Sequence, residues 1–322
     1  MSLSPAYHLR TNKGVERLLF LDLLRRMDGR LPKPIESYQY VSLGGPYLED
    51  FGMIHGAFGN RRMLSLELKP HVRSRQLINR PYARINPTLD TTERFVDNYE
   101  TGRRPLIVWF DYEWQDWKEQ LLESCDLLKK LPPMSIFKIT LTGKTKWLGG
   151  EGSQDPFVFQ AEKLSELFND YGPFAAAEIN EDSICTTLYR LCRQIIADAV
   201  PDAREKAVRT LAAYEYNDGT PVLTVTMVTG PLNNIQELVR NAALENWPFA
   251  VLNWRTLKKI DVPSLGLRER LAVDRLMPDA DARTVVRRLK LRLGENYYES
   301  VRAMANYIEF YRYVPQLLRV AI

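Results

Sequence analysis

Apolar positions along the first half of the chain switch repeatedly between two periods. From Asn12 to Met27, Val15, Leu18, Leu19, Leu21, Leu23 and Leu24 recur at helical spacing and predict a helix with a broad apolar face. Asp28-Gly29 and the Pro32/Pro34 pair end it. Tyr38–Leu43 then reads as a strand running into Gly44-Gly45-Pro46, and Leu48–Phe58 as a helix closed by Gly59-Asn60. The alternation continues with a strand at Arg62–Leu68, a helix at Pro70–Asn79 opened by its proline, a short strand at Tyr82–Asn86 and a helix at Thr91–Tyr99. Pro105–Phe110 is the uninterrupted apolar run expected of a strand covered on both faces. A helix at Asp116–Leu131 and a strand at Ser135–Leu141 follow.

Five strands alternating with helices predict an α/β fold, a doubly wound parallel sheet. Leu211–Tyr216 and Pro221–Val228 are alternating runs joined by Asn217-Asp218-Gly219-Thr220, an Asp-Gly hairpin signal. The expectation is one seven-stranded sheet within residues 12–229, five parallel strands plus the C-terminal antiparallel hairpin. Beyond Gly230-Pro231 the pattern changes. Leu232–Ala243 and Pro263–Met277 read as helices, Asp281–Leu293 as a basic helix or strand, and Glu295–Leu318 as a segment rich in aromatic rings. We therefore divide the sequence into residues 1–230, the α/β domain, and residues 231–322, a mostly helical basic and aromatic extension.

The order of five parallel strands and a final antiparallel hairpin resembles class I S-adenosylmethionine-dependent methyltransferases, with their Rossmann-like sheet. That resemblance implies S-adenosylmethionine as cofactor and transfer of its methyl group to an acceptor that the sequence leaves open. It places the cofactor at the carboxyl ends of the strands, beside the first of them. The Ser42-Leu43-Gly44-Gly45-Pro46 turn lies there. Gly44 matches the first glycine of the family's turn and Gly45 adds backbone freedom beside it. Ser42 stands in place of the usual acid, and Pro46 in place of the second glycine. Glu67 ends the second strand, where an acid can accept both hydroxyls of a ribose; the alternative is a solvated acid beside Lys69. Asn86 or Asp90, after the third strand, would meet the adenine. Asp111, Tyr112, Glu113 and Trp114 follow the fourth strand, with Asp111 and Glu113 as candidate bases or acceptor-orienting groups, and Tyr112 and Trp114 as rings that could hold a sulfonium.

The run Phe110-Asp111-x-x-Trp114 also resembles the strand end of metal-dependent O-methyltransferases. The Asp-Asn that those enzymes need near the fifth strand is replaced here by Thr140-Leu141-Thr142-Gly143-Lys144, so no metal is expected. His8, His55 and His71 have no metal spacing, although His55 lies in the helix after the glycine turn and is close enough in sequence to approach a cofactor there. Lys144-Thr145-Lys146-Trp147 reads as a mobile basic loop bordering the substrate side.

Composition narrows the remaining classes. With 45% apolar and 26% charged residues among 322, the chain can bury a full core without staples. Cys125, Cys185 and Cys192 are too few for a disulfide framework, and the last two read as core thiols on one helix. No apolar run approaches a membrane span and the N-terminus lacks a signal-peptide core, which predicts a cytoplasmic protein without a membrane partner. The net charge of +4 is uneven: residues 255–322 carry 14 basic and 8 acidic side chains, the rest 30 and 32. Arg287, Arg288, Lys290 and Arg292, near stackable rings, are candidates to meet nucleic acid. A second reading follows: a catalytically inactive methyltransferase-like subunit whose C-terminal region docks a protein, a second copy of itself or nucleic acid.

Overall fold

The computed structural model describes residues 10–315, apart from 103 and 113. The alternation read from the sequence is present: helix α1 (Thr11–Met27), strand β1 (Gln39–Ser42), α2 (Glu49–Phe58), β2 (Arg62–Glu67), α3 (Pro70–Asn79), β3 (Ile85–Leu89), α4 (Thr92–Asn98), β4 (Leu106–Asp111), α5 (Trp117–Lys130) and β5 (Ser135–Thr142). Side-chain caps set several helix starts. Thr91 accepts from Arg94 N and Asp116 from Glu119 N, each satisfying an amide that the helix itself cannot. Two further helices, α6 (Pro156–Leu167) and α7 (Ile184–Ala199), separate β5 from the hairpin β6 (Ala207–Asn217) and β7 (Pro221–Gly230). Then follow α8 (Leu232–Asn241), β8 (Lys258–Ile260), α9 (Leu267–Asp274), α10 (Ala282–Leu289) and α11 (Tyr297–Phe310).

The strands form one mixed sheet in the order β3-β2-β1-β4-β5-β7-β6-β8. β1 to β5 run parallel, and β7 pairs antiparallel with β5. The hairpin therefore joins the parallel strands as expected, but the sheet has eight strands and not seven. β8 is three residues long, too short to show alternation in a sequence. β3 is a second correction. It begins at Ile85 and runs through Pro87, where the sequence led us to end it at Asn86. β3 is an edge strand, where a sheet tolerates a proline because its missing N–H can face outward. The segment Asp281–Leu293 is helical over α10, and the Pro263–Met277 helix shortens to α9.

By contact density the chain forms two compact units. The larger, residues 21–215 and 220–258, holds most of the sheet and α2 to α8. Its main core is one face of the sheet: Val41, Val108, Phe110, Phe137, Ile139 and Val225 pack with Trp117, Leu121 and Leu128 of α5 and Leu188, Leu191 and Ile195 of α7. Cys125, Cys185 and Cys192 are buried in this core as thiols, not disulfides. Burial pushes the Cys125 thiol up to about 12, so it stays protonated and unreactive.

The smaller unit comprises, among the described residues, 10–20, 216–219 and 259–315. Within it, the hairpin tip serves α1. Asn12 Nδ2 donates to Asn217 O (3.2 Å) and Asp218 Oδ1 (3.1 Å), and Lys13 N donates to Asp218 Oδ2 (2.8 Å). Tyr307 and Phe310 of α11 are buried, Tyr307 donating to Asp274 Oδ1 at 2.7 Å, while Tyr298 is fully presented to solvent on the same helix.

Candidate functional site

Alternate residues of the strands face away from the apolar core, and on that second face polar side chains collect. The register places Ser42 beside Ser65 and Trp109, Trp109 beside Lys138, and Asp111 beside Thr140; across the antiparallel pair Lys138 meets Thr226 and Thr140 meets Thr224. All of these are buried; Lys138 is 0% exposed and Asp111 7%. The Lys138 ammonium sits 3.4 Å from the centre of the Trp109 ring, a cation–π contact that partly offsets its desolvation. Trp109 Nε1 donates to Thr140 Oγ1 at 2.9 Å, which ties β4 to β5 beside Asp111. Sequence reasoning missed Lys138, Thr140, Thr224 and Thr226. The signal was the alternation of polar and apolar residues in residues 137–142 itself, which becomes meaningful once the pairing shows that its polar half shares a face with Asp111.

The turn after β1 is held from α3. Gln76 is buried; its Nε2 donates to Gly45 O (2.8 Å) and its Oε1 accepts from Ser65 Oγ (3.3 Å). Asn79 Nδ2 donates to Pro46 O at 2.9 Å. Gly45 takes φ +53°, and Leu48 the same left-handed conformation at +54°. Gly44 has no room for a side chain: a Cβ would lie 2.4 Å from Leu48 Cδ2, 2.7 Å from Ser65 Oγ and 2.8 Å from Phe51 Cε2. Close packing of α2 against the turn thus requires Gly44. Ser42 Oγ, at the end of β1, is buried without a hydrogen-bond partner among the described residues.

Glu67 and Asp90 come together at the carboxyl ends of β2 and β3, where Asp90 N donates to Glu67 O at 3.2 Å. Glu67 Oε1 accepts from Lys69 N (2.8 Å). Asp90 Oδ1 accepts from Thr91 N (3.0 Å) and lies 3.5 Å from Arg94 Nε. Asn86 is not with them. It is the second residue of β3, paired in register with Leu64, and exposed near the amino end of the strand. Asp111 ends β4 on the polar face. Tyr112 turns to the opposite face: its ring packs edge-on against Phe110, and its hydroxyl donates to Glu123 Oε2 at 2.9 Å. Burial, then the Glu123 charge, hold the Tyr112 hydroxyl well above the ordinary phenol range, so it carries no base. Glu113 lies outside the described residues. Trp114 is half-exposed and stacks edge-on against Tyr112.

Two smaller expectations change. His55 Nδ1 lies 2.7 Å from Asn60 O and its ring is 4.0 Å from that of Tyr82, which fixes it in the last turn of α2, away from the glycine turn. The Lys144–Trp147 segment enters a 3-10 turn, Thr145–Leu148, whose Trp147 packs edge-on against Trp117 at 5.1 Å, so an aromatic contact anchors what its basic composition presented as a mobile loop. Arg287, Arg288, Lys290 and Arg292 are exposed on and after α10, with Arg287 5.7 Å from the Tyr297 ring. A hollow lined by Lys33, Gln39, Tyr99, Glu100 and Arg104 lies at the amino ends of β1 and β4, the edge opposite to Glu67 and Asp111. Among the described residues no group of three or more His, Cys, Asp or Glu is placed to hold a metal ion, and no helix is long and apolar enough to cross a membrane.

Strand order, the antiparallel seventh strand and a polar carboxyl edge define a methyltransferase-like α/β protein. The family described as "Putative O-methyltransferase" matches residues 5–322, and the chain belongs to it. A search of curated proteins finds no match. Solved structures similar to the chain include cofactor-bound Rv0187 from MTB (9% identity, 71% of this chain and 82% of that one, TM-score 0.38). Others are a "putative O-methyltransferase" from Klebsiella pneumoniae (10%, 71% and 83%, TM-score 0.39) and the N-methyltransferase NodS from Bradyrhizobium japonicum WM9 (12%, 67% and 97%, TM-score 0.35).

Proposed function

We propose that the protein is an S-adenosylmethionine-dependent methyltransferase working at the carboxyl edge of β1, β2 and β4. One observation carries the fit to that cofactor: Ser42 Oγ is buried and orphaned at the strand end that leads into the glycine turn, so a ligand there would satisfy it. Gly44 and Gly45 bring the backbone close, and α3 fixes the turn through Gln76. Glu67 would accept the ribose hydroxyls. Asp90, held beside it by the β2–β3 backbone bond, is better placed than Asn86 to meet the base. The bound cofactor supplies an electrophilic methyl on a sulfonium.

Asp111 is the group we assign to the acceptor. As a carboxylate at the end of β4 it can take the proton of an acceptor O–H or N–H, or fix its direction of approach. Thr140, already accepting from Trp109, keeps its own hydroxyl proton to donate beside it. The test is thermal: S-adenosylmethionine or S-adenosylhomocysteine should raise the melting temperature of the full chain, and Glu67→Gln should weaken that binding by about 1–3 kcal/mol with the fold intact. No shift with either compound would reject the cofactor and leave a catalytically inactive methyltransferase-like subunit.

A further inference from the structure

The larger unit carries a second, denser concentration of positive charge than the one at the C-terminus. Residues 61–84, spanning β2, α3 and the start of the turn into β3, contain seven basic side chains and a single acid, Glu67. Several surface cations elsewhere on this unit pair with carboxylates: Arg26 with Asp22, Lys129 with Asp126, Lys163 with Glu166, Arg190 with Glu178 and Arg209 with Asp202. Along α3 they do not. No carboxylate of the described residues forms an ion pair with Lys69, Arg73, Arg75, Arg80 or Arg84, whereas Arg61 pairs with Glu36. Three guanidiniums are instead anchored through one nitrogen each to neutral oxygens: Arg73 to Pro87 O (3.1 Å), Arg80 to Ile85 O (3.4 Å) and Arg75 to the Tyr47 hydroxyl (3.0 Å). They are positioned, and their charge is unspent.

Exposed rings and apolar side chains are interleaved with these charges. Tyr47 is 46% exposed and lies under the Arg75 guanidinium at 5.2 Å; Ile78 is 83% exposed. A phosphate backbone needs unpaired cations at intervals, and an unstacked base needs a flat ring beside them. α3 starts three residues after Glu67 and its Gln76 and Asn79 hold the glycine turn, so this surface adjoins the proposed transfer edge. We infer that the α3 surface docks single-stranded nucleic acid, which makes a polynucleotide the class of methyl acceptor. The assignment of an acceptor rests on the methyl-transfer reading; the docking itself does not.

The experiment is fluorescence anisotropy of a labelled single-stranded oligonucleotide of mixed sequence with the full chain, without cofactor, over a salt series. Binding at low salt should weaken steeply as salt rises. Combining Lys69→Gln, Arg75→Gln and Arg84→Gln should weaken it at least tenfold and reduce the log–log salt slope by about 2. The melting temperature should be unchanged, since none of the three is buried. Tyr47→Ala should cost roughly tenfold, the loss of one stacked base. Arg287→Gln with Arg288→Gln should leave binding as it is. Absence of binding by the unaltered protein at low salt, or binding that survives the triple change and disappears with the α10 pair, overturns the proposal. Equal binding of duplex together with no effect of Tyr47→Ala overturns the single-strand assignment. Because cofactor is absent, failure here leaves the methyl-transfer reading standing, and a missing thermal shift with S-adenosylmethionine leaves this docking standing.

Discussion

The two faces of the sheet are made from alternate residues of the same strands, yet they do different work. On one, Val41, Val108, Phe110, Phe137, Ile139 and Val225 are continuous with the buried faces of α5 and α7. On the other, Ser42, Asp111, Lys138, Thr140, Thr224 and Thr226 are buried as deeply but are polar. Burying a lysine, a carboxylate and four hydroxyls costs far more than burying valines, and an apolar second face would have been the more stable choice. The difference teaches where stability was given up. Asp111 and Tyr112 are adjacent in sequence and point to opposite faces, which makes them the sharpest pair on which to test it.

The largest effect should come from the polar side. Asp111→Asn should lower transfer roughly 10²- to 10⁴-fold, the usual contribution of a positioned base, with an unchanged melting temperature; full activity in a folded variant would make Asp111 a structural acid. On the apolar side, Phe110→Ala should remove about 3–5 kcal/mol of stability in denaturant titration, since Phe110 is fully buried against Phe95, Phe137 and Tyr112. Tyr112→Phe should cost about 1–3 kcal/mol by removing one of the hydrogen bonds that the buried Glu123 receives, while transfer by the remaining folded protein persists. If activity fell and stability held, the assignment of the two faces would be reversed.

Glu123 gives a pH test of the same wall. Burial, the largest influence on it, holds its carboxyl above the ordinary carboxylate range, so the folded protein keeps that proton longer than the unfolded chain does. The stability this contributes is complete in acid and is lost as pH rises through the folded value. Glu123→Gln cannot titrate, so measured against the unaltered protein it should be relatively less stable in acid than at neutral pH. The smallest effect should be that of Ser42→Ala. Removing an orphaned buried hydroxyl should leave stability nearly unchanged and weaken cofactor binding by about 1 kcal/mol, readable by calorimetry.

Most of the architecture was legible in the sequence because it depends on periodicity. The β4 run Leu106–Phe110 reads as a doubly covered strand and is one, and Asp218-Gly219 marks a hairpin that joins the sheet where expected. What escaped depends on pairing. Pro87 looks like a strand terminator until β3 proves to be an edge, and that misplaces Asn86 by three residues from the strand's end. Tyr112 looks like a neighbour of Asp111 until alternation sends it to the other face. Lys138 belongs to a polar alternation that has no direction until strands are paired; the register with Trp109 shows that it shares a face with the acid. Gly44, read for its access to a ligand, is also demanded by Leu48 and Phe51.

The bond between Asp218 and the first turn of α1 has a consequence in time. The carboxylate that receives Lys13 N lies 205 residues further along the chain. A helix start is ordinarily secured by a residue next to it, within the first moments of collapse. Here the amides at Asn12 and Lys13 must wait for a hairpin tip far away along the chain, so their protection depends on a long loop closing first. Refolding followed by pulsed hydrogen exchange should therefore find the amide of Lys13 protected no earlier than those of β6 and β7, and later than amides in the middle of α1, whose hydrogen bonds close within the helix itself.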